Sequence, residues 1–94
     1  MLLLEYVLVD DYVERRAPLR QEHLALAAAA VERGELVLGG ALSEPADRAL
    51  LVWDVPDRSV VEAFVQQDPY VSQGLVREWS IRPWTVVVGT ALRG

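Results

Sequence analysis

The sequence has no cysteine and no lysine, and it has a single histidine, His23. Without cysteine there is no disulfide framework, no thiolate nucleophile and no cysteine-based metal site. Without lysine there is no Schiff-base chemistry on a lysine side chain. No apolar run approaches the roughly 20 residues that a membrane-spanning helix needs, so we expect no membrane partner.

Composition places the chain among small globular domains. We expect residues 1–94 to form one domain with one hydrophobic core, because 52% of the residues are hydrophobic. The net charge of −5 argues against a nucleic-acid partner. No glycine loop that could cradle a phosphate precedes a helix, and no cluster has metal-ligand spacing, so we expect no cofactor and no metal. The cytoplasm is the default location.

The hydrophobic pattern predicts an α+β fold. Six elements are expected in chain order: a strand over 2–9, a helix from Pro18 to about Arg33 with Gly34 after its end, strands over 36–42 and 49–55, a helix from a capping box at Ser59-Val60-Val61-Glu62 to before Pro69, and a strand over about 76–88. Right-handed crossovers put both helices on the same face of one antiparallel sheet. The βαββαβ order therefore predicts a ferredoxin-like plait with four strands.

The predicted strands have apolar residues on both faces, whereas the helices cover only one. In the first strand, Leu4 and Tyr6 share one face while Leu3 and Val7 share the other. At least one tryptophan is expected on the open face, from the set Trp53, Trp79 and Trp84. A large exposed apolar surface is normally covered by a partner. We therefore expect a homodimer formed through the open sheet face.

The first predicted helix carries His23 and Arg20. At 100° per residue, both side chains fall in the middle of the apolar face, where unpaired polar groups are costly. An imidazole suits proton transfer near neutral pH, and an arginine one turn earlier can hold an anionic ligand. The structural alternative is a histidine that only packs in the core.

Two further motifs each permit two interpretations. Asp68-Pro69-Tyr70 is typical of an N-cap followed by proline in the first turn of a short helix. Alternatively, Asp68 orients or charges His23, since both predicted helices lie on the same sheet face. Gly39-Gly40 within the second strand indicates either a β-bulge or backbone that closely approaches a neighbour or ligand.

Taken in order, several short motifs resemble the YciI-like (YCII-related) proteins over nearly the whole chain. They are LLLEYVLV at the start, Arg20-x-x-His23-Leu24, Gly34, Leu38-Gly39-Gly40, Asp68-Pro69-Tyr70, Gly74-Leu75 and Ile81-Arg82-Pro83-Trp84. The resemblance implies a ferredoxin-like fold that dimerises as an α/β barrel and is related to muconolactone isomerase-like proteins. It also implies an active site built on a histidine and an aspartate, which match His23 and Asp68. One relative in this family is a dehydrochlorinase of aromatic degradation. Ala41 departs from the family, which commonly has Gly-Pro after the two glycines.

Two functions are expected from these features. In the first, the protein is a small isomerase-type or lyase-type enzyme that uses His23 and Asp68 for acid–base chemistry on an anionic or lactone-like metabolite. Its substrate-binding residues would be Arg20, Gly39, Gly40 and Tyr70. In the second, the same pocket belongs to a non-catalytic ligand-binding or accessory domain. A histidine with both ring nitrogens bonded to backbone groups would favour the second.

Overall fold

The computed structural model describes residues 1–90, which form one four-stranded antiparallel sheet with helices packed on one face. The strands are β1 (Leu2–Leu8), β2 (Leu36–Ala41), β3 (Arg48–Trp53) and β4 (Val76–Pro83), in the spatial order β2-β3-β1-β4. The helices are α1 (Tyr12–Arg15), α2 (Arg20–Glu32), α3 (Arg58–Gln67) and α4 (Pro69–Ser72), with a 3-10 turn over Ala17–Leu19. The predicted βαββαβ order is confirmed, and the short helices α1 and α4 extend it. None of the helices within residues 1–90 is long and apolar enough to cross a membrane.

The hydrophobic core lies between the sheet and the helices. Leu4 and Tyr6 of β1 pair with Leu51 and Ala49 of β3, and residues opposite each other in an antiparallel pair share a face. All four are buried, and they pack with α-helical residues such as Phe64. Tyr6 is only 1% exposed, so a polar hydroxyl group is carried into this core.

The opposite face of the sheet is apolar over part of its width. Its apolar residues lie on the β2, β3 and β1 side: Leu3, Val7, Leu38, Leu50 and Val52. The β4 side of the same face is polar, with Glu78, Ser80 and Arg82. Trp79 aligns with Tyr6, and Trp53 aligns with Leu2, so both tryptophans lie on the helix side. Neither Trp53 nor Trp79 is therefore the open-face tryptophan that was expected from the set of three.

The last strand is shorter than predicted, since it ends at Pro83 and not near residue 88. Pro83 is opposite Leu2, the first residue of β1, and this is the last residue pair between the two strands. The backbone N–H of Trp84 still donates to the carbonyl of Met1 at 2.8 Å. The strand β4 lies at the edge of the sheet, a position that tolerates a proline such as Pro83.

The helix ends follow the sequence signals in one case and depart from them in another. Gly34 follows the end of α2 with φ of 75°, as expected for a residue after a helix C-cap. The N-cap of α3 is Asp57, whose carboxylate accepts from the Ser59 N–H at 2.9 Å. The predicted capping box is wrong because the helix begins at Arg58, and Glu62 instead pairs with Arg58 at 3.1 Å.

Candidate active site

Asp68 stands at the junction of α3 and α4, and its carboxylate accepts three hydrogen bonds. Oδ1 accepts from the Tyr70 N–H at 3.0 Å and lies 2.8 Å from His23 Nδ1. Oδ2 accepts from the Tyr6 hydroxyl at 2.8 Å. Asp68 is 0% exposed, so its oxygens depend on these protein donors. Asp68 therefore caps α4, as the first interpretation expected, and it also contacts His23, as the second one requires.

The contact with Asp68 defines the chemical state of the histidine ring. An ionised carboxylate only accepts hydrogen bonds, so His23 Nδ1 must carry the proton that joins them. In the neutral imidazole, Nε2 then has the free lone pair. Within residues 1–90, Nε2 makes no hydrogen bond, yet it is not a buried unpaired atom. The His23 side chain is 15% exposed, so the ring is mostly enclosed and Nε2 is not fully buried.

Aromatic packing fixes the plane of the imidazole. The His23 and Tyr70 rings are stacked, with centroids 3.9 Å apart and planes within 9°. The Phe64 ring approaches His23 edge-on at 6.3 Å. Together with the Nδ1 contact, these rings leave the imidazole little freedom to rotate. Such a fixed ring suits directed proton transfer.

His23 lines a cavity of about 360 Å³ between α2, α1 and the β2–β3–β1 part of the sheet. The polar lining groups are Tyr6, Tyr12, Arg16, Arg20, His23 and Tyr70, and the apolar wall comes from α2 and the sheet. Small-molecule sites commonly enclose roughly 300–1,000 Å³ with a few convergent polar groups. The cavity is therefore of a size and character that suit one small ligand.

Gly39 and Gly40 line this cavity, but they do not form the bulge that the sequence allowed. They pair regularly with Leu51 and Leu50, and the irregularity in β2 lies between Leu36 and Leu38. A Cβ on Gly39 would approach Leu51 Cγ to 3.2 Å, whereas one on Gly40 would meet nothing within 4 Å. The close-approach interpretation thus applies to Gly39 alone.

Arg20 lies at the rim of the cavity and not in the middle of a buried face. The buried side of α2 is centred on Ala30, with His23 half-buried beside it, while Arg20 and Leu24 are exposed. Arg20 therefore keeps its guanidinium in water, where it needs no buried partner. His23 occupies the inward position that was predicted for it.

Arg16 lies beside Arg20 at the cavity and was not predicted to belong to the site. Its guanidinium carbon is 5.3 Å from the centroid of the Tyr12 ring, a cation–π distance. Within residues 1–90, no carboxylate lies within ion-pair distance of either arginine. The cavity rim therefore has two positive charges that protein carboxylates do not neutralise.

Tyr6 and Tyr70 each have a perturbed hydroxyl group. Burial, followed by the charge and hydrogen bond of Asp68, raises the pKa of Tyr6 far above its usual value. Burial also raises the pKa of Tyr70, with a further contribution from Tyr12, and the Tyr70 hydroxyl has no partner within residues 1–90. The sequence contained one signal for Tyr6, because a buried tyrosine hydroxyl usually requires an acceptor.

A second cavity, of about 240 Å³, lies between α2 and α3. Trp53 and Phe64 line it, and an exposed Arg33–Glu35 ion pair of 2.9 Å stands at its edge. The indole N–H of Trp53 is buried without a partner. Residues 1–90 contain no group of three potential metal ligands at either cavity.

The strand order and the helices on one sheet face define a ferredoxin-like α+β protein, with a candidate active site at the His23–Asp68 pair between its helices and its sheet. The family model of the YCII-related domain matches residues 1–85, and the chain belongs to this family. The resemblance that the sequence motifs carried is therefore confirmed.

A solved structure supports the same fold. The chain is similar to 5-chloro-2-hydroxyhydroquinone dehydrochlorinase (TftG) from Burkholderia phenoliruptrix AC1100, determined in complex with 2,5-dihydroxybenzoquinone. The two are 20% identical, with a TM-score of 0.73 over 90% of this chain and 94% of that chain. This likeness shows the fold, which can carry many functions. No curated protein matches the chain in sequence.

Proposed function

We propose that the protein is a small acid–base enzyme in which His23 transfers a proton and Asp68 orients and charges it. The observation that carries the proposal is the state of the imidazole. Its Nδ1 is held 2.8 Å from a fully buried carboxylate, while Nε2 makes no hydrogen bond within residues 1–90 and the mostly enclosed ring lines the cavity. A histidine that served only to fill the core would be expected to have both ring nitrogens bonded to protein groups. Among the described residues, neither ring nitrogen is bonded to a backbone group.

The proposed chemical step is a proton transfer through Nε2. The lone pair on Nε2 takes a proton from a C–H or O–H bond of the ligand, and the imidazolium that forms is stabilised by the Asp68 carboxylate. The proton is then returned to another atom of the ligand in an isomerisation, or to a leaving group in an elimination. In either case the enzyme ends in its starting protonation state.

The proposed substrate is a small anionic, ring-shaped or lactone-like molecule. Arg16 and Arg20 supply two positive charges at the cavity rim, and the tyrosines supply aromatic walls. The glycine backbone of β2, at Gly39 and Gly40, would form the opposite wall. The dehydrochlorinase that shares the fold acts, by its name, on a hydroxylated ring, which supports a ligand of this shape.

The proposed partner is a second copy of the chain, bound through the open sheet face. Leu38 on that face is 62% exposed, and Val7 and Leu50 of the same face are half-buried. Leu38→Glu should weaken the dimer in sedimentation equilibrium, whereas Leu24→Glu, at 48% exposure on α2, should not. A wild-type protein that sediments as a clean monomer at micromolar concentration would contradict this proposal.

The experiment for catalysis is a screen of small carboxylates and lactones, followed by kinetics of His23→Gln. Glutamine has similar bulk and can form hydrogen bonds, so the variant should keep its fold. Loss of a positioned acid or base should lower the turnover rate by about 10²- to 10⁴-fold. A folded His23→Gln protein with wild-type turnover would exclude His23 as the catalyst. Saturable binding without any turnover by the wild type would favour the ligand-binding alternative.

A further inference from the structure

We propose that Tyr6 is a positioning residue that holds the Asp68 carboxylate in the orientation that receives the Nδ1 proton of His23. This inference rests on the proposed function for its catalytic meaning. The hydrogen bond from Tyr6 to Asp68 and its effect on His23 belong to the ligand-free protein and can be tested without any substrate. Tyr6 would not touch the reacting atoms, and it would act only through Asp68.

The argument begins with the two oxygens of Asp68. Oδ1 is shared between the Tyr70 N–H and His23, while Oδ2 has the Tyr6 hydroxyl as its one hydrogen-bond donor within residues 1–90. A carboxylate can rotate about its last bond, and a donor on each oxygen stops that rotation. Without Tyr6, the Asp68 carboxylate would be held only at Oδ1. With Tyr6, it is held at both oxygens.

The second step concerns where Tyr6 comes from. It belongs to β1, a central strand, and its neighbours in the sheet are Ala49 of β3 and Trp79 of β4. Asp68 lies between two helices, so the Tyr6 hydroxyl joins the helix layer to the sheet at a distance of 62 residues along the chain. The rigid sheet thus sets the position of Oδ2 independently of α2, which carries His23.

The third step is electrostatic. The raised pKa of Tyr6 keeps its hydroxyl protonated through the neutral range, so it remains a donor whenever Asp68 is charged. Removing that donor would leave a buried carboxylate oxygen without a partner and make Asp68 more basic. The His–Asp pair should then bind its shared proton more tightly.

Other ionisable groups near His23 must be kept constant in a test. They are Tyr12 of α1, Arg16 before the 3-10 turn, Arg20 at the start of α2, and Asp68 and Tyr70 of α4. Tyr6→Phe leaves all of them in place. Tyr12→Phe is the matched control, because it removes one hydroxyl from a buried tyrosine of the same cavity that makes no hydrogen bond to Asp68 within residues 1–90.

The test is an NMR titration of ¹⁵N-labelled protein, in which His23 is the only histidine. At alkaline pH the wild type should show Nδ1 protonated and Nε2 unprotonated, the tautomer opposite to the one that a free histidine prefers. In Tyr6→Phe the midpoint of the imidazole titration should move upward by about half to one pH unit. In Tyr12→Phe it should stay at the wild-type value.

Equal titrations in Tyr6→Phe and Tyr12→Phe would overturn the inference and leave Tyr6 as a packing residue. If Tyr6→Phe does not fold, the hydrogen bond between Tyr6 and Asp68 can be tested in the wild-type protein by the exchange rate of the Tyr6 hydroxyl proton. A slowly exchanging hydroxyl proton on Tyr6 supports the hydrogen bond, and a freely exchanging one excludes it. None of these measurements requires turnover, so a protein without enzymatic activity would refute the proposed function and leave this result intact.

Discussion

The two cavities beside α2 differ more in chemistry than in size. The larger one has a histidine held by a buried carboxylate and two arginines that no described carboxylate neutralises. The smaller one has one ion pair at its edge and an indole N–H that is buried without a partner. Both are bounded by aromatic side chains. The presence of a cavity alone therefore does not mark a candidate active site, and the oriented, titratable side chain of His23 is what distinguishes the larger cavity.

The largest difference between the cavities should appear when Asp68 is replaced. Asp68→Ala removes the acceptor of three hydrogen bonds, and breaking a buried charged network typically costs about 3–5 kcal/mol of unfolding free energy. Gln67→Ala, one residue earlier at the smaller cavity, should stay within about 0.5 kcal/mol because Gln67 is exposed. Chemical denaturation measures both. Equal losses would show that the Asp68 network is not a special part of the fold.

The next largest effect should be on anion binding. Arg16→Met or Arg20→Met should weaken benzoate binding about tenfold, the loss of one charge-assisted hydrogen bond, and leave benzamide binding little changed. Arg33→Met removes the same charge at the smaller cavity, where Glu35 already pairs with the arginine. Calorimetric titration compares the three variants. A similar loss for Arg33→Met would mean that net charge, and not the rim of the larger cavity, attracts the anion.

A smaller effect should separate the two glycines of the cavity wall. Gly39→Ala should cost about 1 kcal/mol or more, because its Cβ would lie 3.2 Å from Leu51 Cγ. Gly40→Ala should be neutral or stabilising by about 0.5 kcal/mol, since its Cβ meets open space and alanine restricts the unfolded chain. Thermal unfolding of the pair tests this. Equal values would show that β2 can move away from β3 at this point.

The smallest effect should be the dependence of stability on alkaline pH. The pKa of Tyr6 is raised in the folded protein, so its contribution is complete below the ordinary tyrosine value near 10 and is lost as pH rises above it. The loss should be ~0.8 kcal/mol near pH 10.5. Tyr6→Phe should abolish this component in urea unfolding. If the pH dependence of stability is unchanged in Tyr6→Phe, the loss of stability at alkaline pH comes from another group, for example Tyr70.

The fold could be predicted because hydrophobic periodicity is a local property of the sequence. Strand alternation and the helix ended by Gly34 gave the order of elements, and handedness rules gave the topology. The end of β4 could not be predicted, because it depends on where β1 begins to pair with it. The faces of Trp53 and Trp79 could not be assigned individually for a related reason, since a strand with apolar residues on both faces does not reveal its register.

The site was predicted in part. His23 and Asp68 were named from the helix face and the family resemblance, and the structure brings them into contact. Tyr6 was assigned only to a buried strand face, because a sequence does not show which distant acceptor a tyrosine reaches. Arg16 was missed because residues 12–17 carry no long periodic pattern from which α1 could be inferred. Arg20 was predicted on the buried face of its helix but is exposed, since a helical wheel does not fix how far a helix is rotated against its sheet.

The junction at Asp68 also limits which amino acids that position can accept. Asparagine would have to turn its amide N–H₂ toward the Tyr6 oxygen, which would then accept, and it has no negative charge to place beside His23. Glutamate would carry its oxygens one methylene further from the backbone N–H of Tyr70. Serine and threonine can cap a helix but have only one oxygen for Tyr6 and His23 to share. Of the twenty side chains, only aspartate meets all three contacts as a charged acceptor, so a saturation library at this position should yield no replacement with wild-type stability.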